Sequence, residues 1–223
     1  MAYRPTEKTQ ARKAALKKQL LDAALFLVAA GGFNALTIQA VAQQAGIATG
    51  AVYKHFESKA HLCAEVFRLA TEKEVAVVRE TALREGAPGT RLLDTIETFA
   101  LRALRGRRLA YALIAEPVDT LVDVERLRYR QDYADIFRQL VEQGIGSGDF
   151  PPQLSAVSAA ALVGAITESL VGPLSWQMNT QPSVEQTRLI RSIQAFCLRA
   201  VAMKTLGSEN RPEEILKSVF AIK

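Results

Sequence analysis

Seven residues between positions 37 and 59 have the chemistry to hold a polyanion: Thr37, Thr49, Gly50, Tyr53, Lys54, His55 and Lys59. Hydroxyls and an imidazole donate hydrogen bonds to phosphate oxygens, ammonium groups pair with them, and a glycine lets the backbone come close. The spacing adds to the side-chain types, because the residues gather at the starts of helical segments. There, unpaired backbone N–H groups and the positive end of the helix dipole also favour anions. Catalysis finds no equivalent set. The chain has no nucleophile elbow, no phosphate-cradling glycine loop and no clustered acid–base pair, so no catalytic residue is assigned and no enzyme is expected. His55 and His61 are the chain's two histidines and sit with Glu57 and Cys63 in "HFESKAHLC". That run crosses a helix start without a familiar ligand spacing, so neither a metal nor a cofactor is expected.

The charge distribution sharpens this reading. Residues 1–62 carry eight basic side chains (Arg4, Lys8, Arg12, Lys13, Lys17, Lys18, Lys54 and Lys59) against three acidic ones (Glu7, Asp22 and Glu57), whereas residues 63–223 hold twenty of each. The whole excess of +5 therefore lies beside the seven residues, as a basic module on a neutral body. Its partner is a polyanion, either nucleic acid or an anionic membrane surface, against the plainer reading of a solvated basic tail. Cys63 and Cys197 stand far apart on apolar stretches, which suits buried thiols in a reducing cytoplasm. No apolar segment follows "MAYRPTEKTQARK", so no secretory signal is expected. The most apolar window, Ser155–Leu174, carries Glu168 and many Ala and Ser residues and lacks a basic flank, so it reads as a buried helix and no membrane partner is expected.

Helical periodicity predicts an all-α chain of about nine helices, with no alternating strand pattern. Leu16, Leu20, Ala24, Leu27 and Val28 mark a first helix over about 10–30, stopped at Gly31-Gly32. Thr37 caps a short helix with Ile38, Val41, Ala42 and Ala45 on one face, and Gly46 ends it. Thr49 is expected to cap a second short helix over 49–56, and Ser58 a long one over about 58–85. Later helices are expected over 90–104, 107–116, 121–144, 155–177 and 183–206, punctuated by Gly and Pro. Domains are placed at 1–62 and 86–223, joined by the long fourth helix.

Two helices this short are marginal alone and persist only when packed. A helix over 49–56 would span roughly 12 Å, comparable with the width of the B-DNA major groove. The segment "FNALTIQAVAQQAGIATGAVYKHFESKAHL" resembles the DNA-binding domain of the TetR family of bacterial transcriptional regulators over residues of about 15–67. The resemblance implies a three-helix helix-turn-helix domain followed by a helical domain for ligand binding and dimerisation. It also implies base contacts from Thr49, Gly50, Tyr53 and Lys54 and phosphate contacts from Thr37, Tyr53, His55 and Lys59. One departure is His61, where the family commonly has Glu or Asp; it weakens the reciprocal capping pattern at the fourth helix.

For the remainder, Leu104, Arg108, Tyr111, Ile114, Tyr129, Tyr133, Phe137 and Trp176 supply aromatic and apolar walls with polar handles, and they are the expected pocket. Arg105, Arg107 and Arg108 suggest an anionic effector such as an acyl-coenzyme A. Ala160 and Gly164 on one helix, with Leu189, Ile193 and Phe196 on another, are the expected homodimer interface. The expected function is a sequence-specific regulator bound to double-stranded operator DNA, a repressor released by a small molecule. The alternative is a DNA-binding regulator without such an effector, protein-controlled or an activator.

Overall fold

The computed structural model describes residues 7–175 and 183–202. Among these, the regular structure is entirely helical: α1 (Glu7–Gly31), a 3₁₀ turn (Phe33–Ala35), α2 (Ile38–Gln44), α3 (Thr49–Val52), α4 (Lys59–Ala82), α5 (Pro88–Arg105), α6 (Arg107–Ile114), α7 (Thr120–Ser147), α8 (Ser155–Leu174) and α9 (Ser183–Ala202). The all-α class is as expected, and the first three helices with the start of α4 make the N-terminal bundle.

Local chemistry sets the helix ends in that bundle. Thr37 accepts the Ala40 N–H at 3.0 Å and starts α2. At its other end Gly46 takes φ +66°, a left-handed conformation that side chains rarely adopt. Gly46 N–H donates to Gln43 O at 3.1 Å and Ile47 N–H to Ala42 O at 2.9 Å, the paired bonds of a Schellman stop. From α1, Gln19 Nε2 donates to Ala45 O at 2.8 Å, satisfying another terminal carbonyl. Ser58 Oγ accepts the His61 N–H at 3.1 Å and caps α4, while His61 Nδ1 takes the Glu57 N–H at 3.4 Å. The histidine thus keeps part of the backward contact an acidic residue would make.

The third helix differs from expectation. Its cap is Ala48, not Thr49, no side chain caps it, and the α-helix ends at Val52 instead of continuing to Phe56. Beyond Val52 the chain winds on in turns, with His55 N–H donating to Val52 O at 2.9 Å. Phe56 N–H donates to Val52 O at 3.1 Å, so the Phe56 ring falls on the same side as Val52. Phe56 is fully buried, with Lys17 Nζ 5.6 Å from its ring centroid and His61 edge-on at 6.0 Å. The ring anchors this turn to the core just before the Ser58 cap.

A single hydrophobic cluster runs from Leu20 in α1 to Val201 in α9. Phe67 of α4 lies near its middle, stacked with Phe33 at 6.3 Å and tilted to Tyr129 at 6.0 Å. Burial of such a ring contributes about 1.5–3 kcal/mol. Leu162, Ile166 and Leu170 turn α8 toward the core, while Ala160 and Gly164 lie exposed on its other side. That helix is long and apolar enough to cross a membrane by composition. Both cysteines are buried, and burial pushes each thiol up to about 11.

Candidate nucleic-acid interface and interior cavity

Thr37, Thr49, Gly50, Tyr53, Lys54 and Lys59 are all exposed, and His55 is half-buried. Tyr53 keeps 58% of its surface, although it adjoins the buried Val52. The Thr49 hydroxyl has no partner among the described residues, because Ala48 takes the cap position. Burial and then the charges of Lys13 and Lys17 hold the His55 imidazole below its ordinary pKa. Thr37, Thr49, Gly50 and Lys59 sit at the N-termini of α2, α3 and α4, while Tyr53, Lys54 and His55 follow the end of α3 in the turn that leads to α4.

A polar clasp, not anticipated from sequence, fastens this bundle to the body. Glu116, 3% exposed, follows α6 and accepts the backbone N–H of Phe33 at 3.2 Å and of Asn34 at 3.4 Å. Arg108 of α6 donates to Gly31 O at 2.6 Å and lies 3.4 Å from Glu116 Oε1. Gly32, φ +74°, makes the approach possible, since a Cβ there would collide with Arg108 Nη2 and Glu116 Oε2. Arg126 of α7 extends the chain of contacts. Its guanidinium donates to the Leu113, Ala112 and Glu116 carbonyls at 3.0, 3.4 and 2.7 Å, capping the end of α6. A second tie passes through Glu65 of α4, which meets Lys17 of α1 at 3.2 Å and Arg68 at 3.1 Å; Arg68 in turn reaches Glu125 of α7 at 3.6 Å.

Inside the body, α4, α5, α6, α7 and α8 enclose a largely apolar cavity of about 120 Å³. Of the expected pocket residues, Ile114, Tyr129 and Tyr133 line it. Leu104 and Phe137 do not: both are packed into the core, 5% and 1% exposed. Arg108 is taken up by the clasp, and Tyr111 lies beneath its guanidinium at 5.9 Å, outside the lining. Arg107 donates to Pro173 O. Trp176 lies outside the described residues. Residues not anticipated include Phe67, Thr71 and Glu74 of α4 and Phe99 and Arg102 of α5. Glu74 and Arg102 form a bidentate pair at 2.5 and 2.9 Å, and a charged residue set in the apolar face of each helix was the available signal. Tyr129 OH donates to Glu72 at 3.1 Å. Burial holds both the Tyr129 and Tyr133 phenols well above the ordinary range, neutral and able to donate.

The residues expected at a dimer interface divide between two faces. Ala160, Gly164 and Phe196 are exposed, the last by 57%, and Leu189 is half-buried. Ile193 corrects the expectation: it is 4% exposed and packs inward with Ile190, Cys197 and Val201. Two helical stripes overlap on α9, and Ile193 belongs to the inner one.

A helix-turn-helix with its second short helix facing outward, carried on a larger helical body, defines a DNA-binding regulator. Residues 20–66 match the family described as bacterial regulatory proteins, tetR family. The HTH-type transcriptional repressor KstR2 of Rhodococcus jostii (strain RHA1) is 30% identical over 142 residues, which span 62% of this chain and 69% of that one. The fatty acid metabolism regulator protein of Bacillus subtilis (strain 168) is 24% identical over 167 residues, 73% of this chain and 84% of that one. In fold, the chain resembles the crystal structure of the transcriptional regulator FadR from Bacillus subtilis in complex with stearoyl-CoA, with a TM-score of 0.69 at 20% identity, covering 82% of this chain and 98% of that one. The chain belongs to the TetR family and is a DNA-binding transcriptional regulator.

Proposed function

We propose that the protein is a homodimeric repressor, released from operator DNA by a small molecule that enters the cavity. The observation that carries this is the double service of α4. Its Ser58 cap and Lys59 belong to the helix-turn-helix, and its Phe67, Thr71, Glu74 and Val78 wall the cavity. Thr49, Gly50, Tyr53 and Lys54 read base edges in the major groove, while Thr37, Tyr53, His55 and Lys59 hold phosphates. The exposed small residues Ala160 and Gly164, with Leu189 and Phe196, let α8 and α9 meet their symmetry mates closely in a two-fold interface. Two recognition elements then address an inverted repeat with half-sites about 34 Å apart.

The effector has an apolar body and an anionic end. The cavity lining is mostly apolar, and Arg130 at its edge is exposed, with no ion-pair partner among the described residues. The Bacillus subtilis regulator crystallised with stearoyl-CoA makes an acyl-coenzyme A the first compound class to try. A cavity of 120 Å³ is smaller than the ~150 Å³ apolar cavity that admits benzene. A long chain therefore enters by pushing the walls apart, and a displaced α4 carries the helix-turn-helix with it. A coupling of about 1–3 kcal/mol lowers operator affinity some 5- to 150-fold.

The operator is to be recovered by pull-down from fragmented genomic DNA, then titrated with acyl-coenzyme A thioesters of graded chain length. The expected result is a compound that raises the melting temperature and releases the operator. Stabilising compounds that leave operator affinity unchanged would remove the ligand-released reading in favour of a regulator without a small-molecule effector.

A further inference from the structure

The buried threonines differ in one respect. A threonine inside a helix ordinarily returns its hydroxyl to the carbonyl four residues back. Thr81 does so to Val77 O at 3.1 Å, Thr95 to Arg91 O at 2.6 Å, and Thr167, on the cavity wall, to Val163 O at 2.8 Å. Thr71 does not. It is 4% exposed, it lines the cavity, and its Oγ1 is fully buried with no hydrogen-bond partner. Buried hydroxyls are very rarely left unpaired, so an orphan on the wall of a cavity points to a partner that arrives from inside it. Tyr133 lines the same cavity, its ring held edge-on to Phe99 at 5.1 Å, and its hydroxyl makes no hydrogen bond among the described residues. The rest of the lining is largely apolar, with Phe67, Val78, Leu109, Leu113 and Val163, and its acidic group, Glu74, is paired with Arg102; the charges of both act on the Tyr133 phenol.

We infer that Thr71 is a specificity-determining residue of this cavity, and that the molecule it selects carries an oxygen acceptor, a keto group, within an otherwise apolar body. This rests on the reading of the cavity as an effector site and narrows that reading. A plain hydrocarbon chain would seal the Thr71 hydroxyl away from water and leave it unpaired. A carbonyl at the same depth accepts a bond from it and has a second lone pair for Tyr133. Sites built to bond an oxygen reject the analogue that lacks it, because the penalty falls on the protein's own unpaired group.

The test uses a matched pair of small rings, cyclohexanecarboxylate and 4-oxocyclohexanecarboxylate, which need far less parting of the cavity walls than a long chain does, against the wild-type protein and Thr71→Val. Valine keeps the shape of threonine and removes the hydroxyl. Binding is read by ligand-observed NMR titration and folding by thermal melts. The wild type is expected to bind the keto ring roughly five- to tenfold more tightly, and Thr71→Val to lose that preference. Without ligand, Thr71→Val should melt about 2–4 °C higher, since it removes an unpaired buried group. A lower melting temperature would mean that the hydroxyl is already bonded, and would overturn the inference. So would equal wild-type binding of the two rings, or a keto preference that survives in Thr71→Val; both leave the effector reading standing. Binding of neither ring would overturn the cavity as a ligand site and this inference with it.

Discussion

Removal of the Glu116 carboxylate is the sharpest perturbation of the contact between the DNA-binding bundle and the body. Glu116→Ala deprives the Phe33 and Asn34 N–H groups of their acceptor and leaves Arg108 with Gly31 O alone. The Phe33 N–H is buried and bears a full unpaired-donor penalty of about 1–3 kcal/mol, while the Asn34 N–H, on an exposed residue, regains water and costs less. With the loss of a buried charge partner for Arg108, the total comes to roughly 2–5 kcal/mol. Glu116→Gln keeps one carbonyl acceptor and should cost about 1–2 kcal/mol. Urea unfolding gives both values. Amide hydrogen exchange gives the location: in Glu116→Gln the Phe33 and Asn34 amides should exchange faster while core amides of α5 and α7 keep their protection. The 3₁₀ turn held by Glu116 leads directly into the Thr37 cap, so operator affinity should fall some 5- to 30-fold in Glu116→Ala. Stability within about 0.5 kcal/mol of wild type for the alanine variant, or unchanged exchange at Phe33, would refute the reasoning.

Operator affinity should fall log-linearly with salt at about 0.9 per phosphate contact, and Lys59→Ala should lower that slope by about one while weakening specific and non-specific sites alike. His55 gives a pH dependence with a definite sign. Its pKa in the free protein lies below the ordinary value, and a neighbouring phosphate raises it, so binding takes up a proton and operator affinity should increase as pH falls from about 7.5 to 5.5; His55→Gln should abolish that increase. Folding stability from the same group runs the other way, lost as pH falls through the unfolded value of about 6.5. Phe196→Asp should give folded monomers by analytical ultracentrifugation with weak operator binding, whereas Ile193→Ala should lower stability by about 2–5 kcal/mol without dissociating the dimer. A dimeric Phe196→Asp would move the interface away from α9.

What the sequence made legible was local. Thr37 three residues before Ala40, Gly46 at a left-handed stop and Ser58 before His61 are signals whose partners lie within a few positions, so the helix-turn-helix could be located from its punctuation alone. The length of α3 could not, because Val52 and Phe56 keep the helical four-residue spacing on the buried side even though the regular helix ends at Val52. Periodicity identifies an apolar face without saying what lies opposite it. Phe137 and Leu104 therefore looked as suited to a pocket as Tyr133 does, and α4, which contributes Phe67, Thr71 and Glu74, was read as the connection between the two domains and not as a pocket wall. On α9 the stripe through Leu189 and Phe196 overlaps the stripe through Ile190 and Cys197 at Ile193, and spacing gives no means of choosing between them. The clasp was the least accessible feature. Gly32 and Glu116 are far apart in the chain, and the Gly31-Gly32 pair signals a helix stop whether or not a guanidinium is waiting beside it.

Engineers who trade reading heads between regulators of this kind commonly look for a seam at which to cut. Here the packing runs across a boundary placed after residue 62, because Phe33 of the reading head stacks on Phe67 of α4 and Gly32 accommodates Arg108 of α6 and Glu116 just beyond it. A transplanted head bearing any larger residue at position 32 would strike the recipient's counterpart of Arg108, and a recipient without a counterpart of Glu116 would leave the Phe33 amide unpaired. Functional chimeras should therefore be those that move residues 31–34 together with positions 108 and 116 as one discontinuous cassette, and libraries cut within α4 alone should yield mostly soluble heads that no longer answer to their new bodies.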